Sequence, residues 1–156
     1  MNDVIEFALA TKSDLIAIDA LEQQCFAGHC YPDFFFRQAL DCWPHSFWVA
    51  KDEQAKVIGY LLASTGAEAD VCWILSIAVA GTARRKGIGT KLISKLIETL
   101  PAQITQVNLT VDPNNPAKAL YARSGFVEHA FEADYFGEGE PRQVMRYLKP
   151  EHTYSR

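Results

Sequence analysis

The sequence predicts an α/β fold, with about seven strands in a mixed sheet and about four helices, in the order β-α-α-β-β-β-α-β-α-β-β. Three observations carry this prediction. Apolar residues recur at helical spacing at Leu15, Ile18, Leu21 and Cys25, and again at Leu92, Ile93, Leu96, Ile97 and Leu100. Between those stretches, "DVCWILSIAVAG" is apolar almost throughout, as a central strand covered on both faces would be. Further on, "ITQVNLTV" alternates apolar and polar residues, the period of a half-buried strand.

Each element has a local reason. Val4–Ala10 is a short strand-like run, and Thr11 with Asp14 then resembles a capping arrangement for the first helix. A second helix enters after Pro32 in "YPDFFFRQALDCW". "SFWVAKDEQAKVIGYLLAS" reads as two strands around the polar turn Asp52 to Lys56. The third helix follows the loop "GTARR" and stops at Pro101. In "DPNNP", Asn115 can cap and Pro116 suits a first helical turn, so "AKALYARSGF" is a short helix closed by Gly125. "FVEHAFEADYF" and "RQVMRYLK" are the last two strands, around the turn "GEGEP".

The totals bound the class. A chain of 156 residues fits one domain, taken as residues 1–150, with residues 151–156 as a tail. Hydrophobic residues at 49% and charged residues at 22% exclude a disordered chain. A net charge of −4 disfavours a nucleic-acid surface, which needs a basic footprint. No apolar run approaches the ~18–20 residues of a membrane span, and the start lacks a basic leader region, so a cytoplasmic protein is expected. The cysteines form no C-x-x-C pair, and "CFAGHC" brings Cys25, His29 and Cys30 together without a fourth ligand, so no metal site is expected.

The chemistry concentrates in "RRKGIG", Arg84 to Gly89, where cations meet paired glycines at the start of a helix. A helix N-terminus leaves its first amides unpaired and carries partial positive charge. Glycine keeps side chains off that backbone, which suits a phosphate. By themselves the two glycines fit either a plain turn or such an anion seat. A dinucleotide-binding fingerprint fails because position 92 is Leu, and a P-loop fails because position 84 is Arg and Gly89 is followed by Thr90.

The wider pattern resembles the GNAT superfamily of acyl-CoA-dependent N-acetyltransferases. Its [QR]-x-x-G-x-[GA] signature is met by Arg84, Gly87 and Gly89. Its N-x-x-A-x-x-L-Y-x-x-x-G-F signature is met by Asn114, Ala117, Leu120, Tyr121, Gly125 and Phe126. The two stand in the family's order, and the element order agrees along essentially the whole chain. The closest branch by pattern is that of the ribosomal-protein N-terminal alanine acetyltransferases.

The resemblance implies a mostly antiparallel sheet and acetyl-CoA as co-substrate. It implies that the turn of Arg84, Arg85, Lys86, Gly87, Ile88, Gly89 and Thr90 holds the pyrophosphate. It implies that the backbone of Ile77 and Val79 pairs with the pantetheine arm, that Asn114 contacts that arm, and that Tyr121 is the general acid at the thioester sulfur. Tyr31 and Tyr135 are the implied substrate-binding residues, with Asp134, Glu138 and Glu140 nearby to attract an amine. Related N-terminal acetyltransferases carry a glutamate where this chain has Thr110, which cannot act as a base. Ser76, Glu68, Asp70 and Asp112 remain the candidates, acting through water. The implied reaction is direct attack by a primary amine in a ternary complex, on a protein N-terminus or a small molecule, by a monomer or homodimer. The alternative class is a non-catalytic acyl-CoA-binding domain.

Overall fold

The structure, a computed structural model, describes residues 4–84 and 86–150. Arg85 and the expected tail 151–156 lie outside the described residues. The element order is the predicted one: β1 (Glu6–Leu9), α1 (Leu15–Cys25), α2 (Asp33–Cys42), β2 (Phe47–Lys51), β3 (Val57–Thr65), β4 (Val71–Val79), α3 (Ile88–Thr99), β5 (Gln106–Val111), α4 (Ala117–Arg123), β6 (Val127–Glu132) and β7 (Arg142–Leu148). The strands form a seven-stranded sheet in the order β1-β2-β3-β4-β5-β7-β6. Pairing is antiparallel for β1 with β2, β2 with β3, β5 with β7 and β6 with β7.

The chain divides into two compact units, Met1–Ser64 with Ile74–Leu100, and Thr65–Trp73 with Pro101–Arg156. In the first, β2 and β3 are buried along nearly their whole length, so their apolar runs are not alternating. α3 covers them with Leu92, Ile93 and Leu96, each at most 1% exposed. Burying each such side chain stabilises the fold by about 1.5–3 kcal/mol. Gly59 lets the helix come close: a Cβ there would stand 3.2 Å from Ile88, 3.3 Å from the Ala78 carbonyl and 3.5 Å from Leu92. The start of α1 differs in detail from the expected single helix. Lys12–Asp14 forms a 3-10 turn first. The Thr11 N–H and hydroxyl donate to the Asp14 carboxylate at 2.9 and 3.1 Å, and the same buried carboxylate pairs with Lys51 at 3.0 Å.

In the second unit, Asn115 caps α4 as expected, its side-chain oxygen accepting from the Ala117 N–H at 2.8 Å. Gly125 ends that helix at φ 98°. Phe126 is buried between Tyr121 and Tyr147. β6 ends the strand order, and all its residues are exposed, Val127 and Phe131 among them. A register shift falls between Glu128 and Ala130, so His129 is the extra residue of a β-bulge.

Candidate active site

α3 begins at Gly87, its N-cap, with φ 73° and ψ 16°. Only glycine takes that left-handed conformation without strain. The helical ladder starts with the Lys91 N–H donating to the Gly87 carbonyl at 3.0 Å. The amides of Ile88, Gly89 and Thr90 therefore have no acceptor inside the helix. No acid stands in the first turn and no side chain caps it. Unpaired amides, a partial positive charge and exposed Lys86 beside them make a seat for an anion.

Arg84 has partners of its own at this end of β4. Its Nε donates to the Val79 carbonyl at 3.4 Å, and its Nη2 lies 3.8 Å from the Cys25 sulfur. The Cys25 thiol points at the same carbonyl, at 3.7 Å. The guanidinium thus braces the end of β4 to the end of α1. The Ala80 N–H donates to Ile58 of β3 at 2.8 Å. Backbone groups alternate sides along a strand, so those of Val79 point away from β3. The two-residue period puts those of Ile77 on the same edge.

Tyr121, on α4, is 8% exposed, and burial pushes its phenol up to about 12. Its hydroxyl is therefore a neutral donor throughout the physiological range. Asn114 is exposed in the loop before α4, its N–H held by the Asp112 carboxylate at 2.9 Å.

A buried carboxylate sits inside the first unit. Glu22 of α1 is 2% exposed. Its Oε1 accepts from the Tyr60 hydroxyl, and the Ser76 hydroxyl lies 2.9 Å from that oxygen and 2.8 Å from the Tyr60 hydroxyl. Its Oε2 accepts the Tyr31 backbone N–H at 2.8 Å. Burial, with Glu22 second, pushes the Tyr60 phenol far above its ordinary range. The Tyr31 ring stacks on Phe35 at 4.4 Å, and Phe36 meets Tyr60 edge-on at 5.6 Å.

The sequence profile described as the Acetyltransferase (GNAT) family matches residues 15–126. The chain belongs to the GNAT acetyltransferase family. This GNAT chain is 31% identical over 143 residues to the N-terminal acetyltransferase A complex catalytic subunit NAA10 of Arabidopsis thaliana, covering 88% of this chain and 74% of that one. With such relatives it is an acetyl-CoA-dependent N-acetyltransferase. Two solved structures share its fold. One is the NatC complex bound to Gag peptide and CoA, with TM-score 0.82, 19% identity, and coverage of 94% of this chain and 99% of that one. The other is the ribosomal-protein-S18-alanine N-acetyltransferase from Escherichia coli, with TM-score 0.78, 20% identity, and coverage of 96% and 97%.

In this GNAT chain the candidate bases differ in their surroundings. Asp112 spends its carboxylate on its own turn, accepting from Asn114. Glu68 and Asp70 are exposed, and Ser76 is 7% exposed and tied to Glu22 and Tyr60. Thr110 pairs with Val144 in the β5–β7 ladder. In the last hairpin, Tyr135 packs edge-on against Phe136 at 4.8 Å. Asp134 accepts from the Gly139 N–H at 3.0 Å, which folds the turn, and Glu140 stands 3.8 Å from Arg142. Sequence reasoning passed over Glu22. The available signal was its place on the buried stripe, one residue after Leu21 and four after Ile18.

Proposed function

We propose that this acetyltransferase acts on the N-terminal α-amine of a protein or peptide, by direct attack of the amine in a ternary complex with acetyl-CoA. The observation that carries the acceptor is the likeness to NAA10 over 88% of the chain. Acetyl-CoA, when bound, supplies the thioester carbonyl that the amine attacks and the sulfur that leaves.

The residues fit that co-substrate. The amides of Gly87, Ile88, Gly89 and Thr90 hold the pyrophosphate, with Arg84, Arg85 and Lys86 supplying charge around it. Unpaired amides without an acid nearby are the donor set a diphosphate needs. The backbone edge of Ile77 and the N–H of Val79, whose carbonyl is already met by Arg84 and Cys25, hold the pantetheine arm as another strand would be held, and Asn114 contacts it. Tyr121 donates to the sulfur. A phenol at about 12 lies well above an ordinary thiol at ~8.5, so Tyr121 stabilises the developing charge by hydrogen bonding and keeps its proton. Tyr31 and Tyr135 flank the acceptor. The amine's proton leaves to water, because Thr110 offers no base where related enzymes carry a glutamate. The cytoplasm, which keeps thiols reduced, is the compartment that suits four unpaired cysteines.

Thiol release from acetyl-CoA tests this with three acceptor sets: peptides with free N-termini, the same peptides blocked at the N-terminus but containing lysine, and small amines. Release with the first set alone is the expected result. Release only with small amines would move the acceptor to a small molecule.

A further inference from the structure

We propose that Glu22 is a positioning residue for the acceptor side of the site, fixing Tyr31 and the loop 26–32 to strands β3 and β4 through its buried carboxylate. The proposal rests on the functional reading above, in which Tyr31 flanks the acceptor. Four parts of the chain meet at this one side chain: α1 carries it, the backbone before α2 donates to Oε2 from Tyr31, and Tyr60 of β3 and Ser76 of β4 meet Oε1. Ser76 meets the carboxylate with its side chain, on the face of β4, and not with the backbone edge assigned to the pantetheine arm. Glu22's own backbone adds a second hold on the loop, its carbonyl accepting from the Phe26 N–H at 2.9 Å and facing the Cys30 thiol at 3.8 Å.

This buried carboxylate is held by its donors. Here the donors are spread over separate elements, so removing the acceptor unties the Tyr31 N–H from β3 and β4 while Tyr60 and Ser76 keep their bond to each other. The consequence falls on Tyr31. Held by its amide at one end and by Phe35 at its ring, it forms a wall of an open cavity of about 570 Å³, lined also by Asp19, Gln23, Gly28 and Asp33. Asp19 and Asp33 line this cavity and accept from Gln23 and from the Phe34 N–H, whereas Glu22 stays out of solvent and orients the wall.

Two substitutions separate positioning from bulk stability. Glu22→Gln keeps an acceptor for the Tyr31 N–H, and the Tyr60 and Ser76 hydroxyls can turn to accept from the new amide. Glu22→Leu keeps the volume and leaves the Tyr31 N–H without its side-chain acceptor, while the Tyr60 and Ser76 hydroxyls keep only each other. Steady-state kinetics should show KM for the acceptor peptide raised about tenfold or more in Glu22→Leu, the scale of one lost hydrogen bond to a charged group. KM for acetyl-CoA should stay within about twofold, and Glu22→Gln should restore the acceptor KM to about the wild-type value. Equal rises in both KM values, or an unchanged acceptor KM, would overturn the proposal.

A second measurement does not depend on turnover. Hydrogen–deuterium exchange should quicken in residues 26–32 of Glu22→Leu and stay unchanged at the start of α3. Uniform or absent change counts against the proposal. If Glu22→Leu does not fold, the Tyr31 amide proton decides: it should move upfield in Glu22→Gln, and an unmoved resonance refutes the contact. A wild-type protein that transfers no acetyl group to peptides, yet shows these exchange changes, would defeat the acceptor assignment alone.

Discussion

Tyr121 is held in a state that only a proton donor can use. With its phenol near 12, a loss of donor capacity belongs far into the alkaline range. Tyr121→Phe should lower kcat by about 10²-fold, the low end for losing one hydrogen-bond donor to charge that develops in the transition state. In the wild type, kcat should show no fall attributable to Tyr121 between pH 8 and pH 10. A Tyr121→Phe variant with full kcat would make the residue a packing partner of Phe126. Gly59 acts at the same scale by having no side chain. Gly59→Val would press on Ile88 and on the Ala78 carbonyl, where even a Cβ stands at 3.2 and 3.3 Å. Overpacking of this kind costs about 1–3 kcal/mol, which in a domain of this size lowers Tm by roughly 2–4 °C per kcal/mol. Because Ile88 is the first residue of α3, acetyl-CoA affinity measured by calorimetry should fall as well. An unchanged Tm and unchanged affinity would show that α3 yields freely.

Among the elements, α3 does the most for the proposed function, because its first turn both covers the core and is the seat proposed for the pyrophosphate. Gly89 is buried in that turn. Gly89→Trp should abolish acetyl-CoA binding in calorimetry while leaving the far-UV spectrum helical; retained binding would remove the seat. This element was legible in the sequence because its apolar stripe, the paired glycines and Pro101 all mark the same boundaries. β4 was legible in part: its apolar run marks a strand in the middle of the sheet order, but from Trp73 onward its residues alternate between half-buried and buried, so the expected cover on both faces is incomplete. Contacts made by side chains across elements were harder to read. A glutamate on a helix ordinarily faces water, so the one local sign that separates Glu22 from exposed Gln23, its spacing of four from Ile18, is outweighed by its charge. Arg84 reads as a ligand for phosphate, and its brace to Val79 and Cys25 depends on α1 ending beside β4. Asp134 reads as an attractant for amines, but its carboxylate is turned inward to Gly139.

For the whole molecule, buried acids set how stability responds to alkali. Burial pushes the Cys72 thiol from its ordinary 9.0 up to about 12. Below pH 9 both folded and unfolded chains keep this proton. Above it the unfolded chain loses the proton first, so rising pH favours unfolding. Tyr121, and Tyr60 further up, add the same sign from about pH 10 onward. Tm should therefore decline between pH 9 and pH 10 in the wild type, and Cys72→Ala should flatten that decline even though it lowers Tm overall. Parallel curves for the two proteins would show that Cys72 titrates normally. Such behaviour has no counterpart in composition, since the sequence shows a cysteine and two tyrosines without saying which are dry.

β6 carries one more consequence, for how the protein behaves in a crowded solution. The last strand in the sheet order offers its free backbone edge to any other extended chain, with Val127 and Phe131 exposed along it. Left straight, such an edge would recruit further strands and grow into aggregates. The bulge at His129 breaks the repeat of donors and acceptors that an incoming strand must match, and Glu128 and Glu132 set like charge against any second copy. The extra residue thus guards solubility at the end of the sheet.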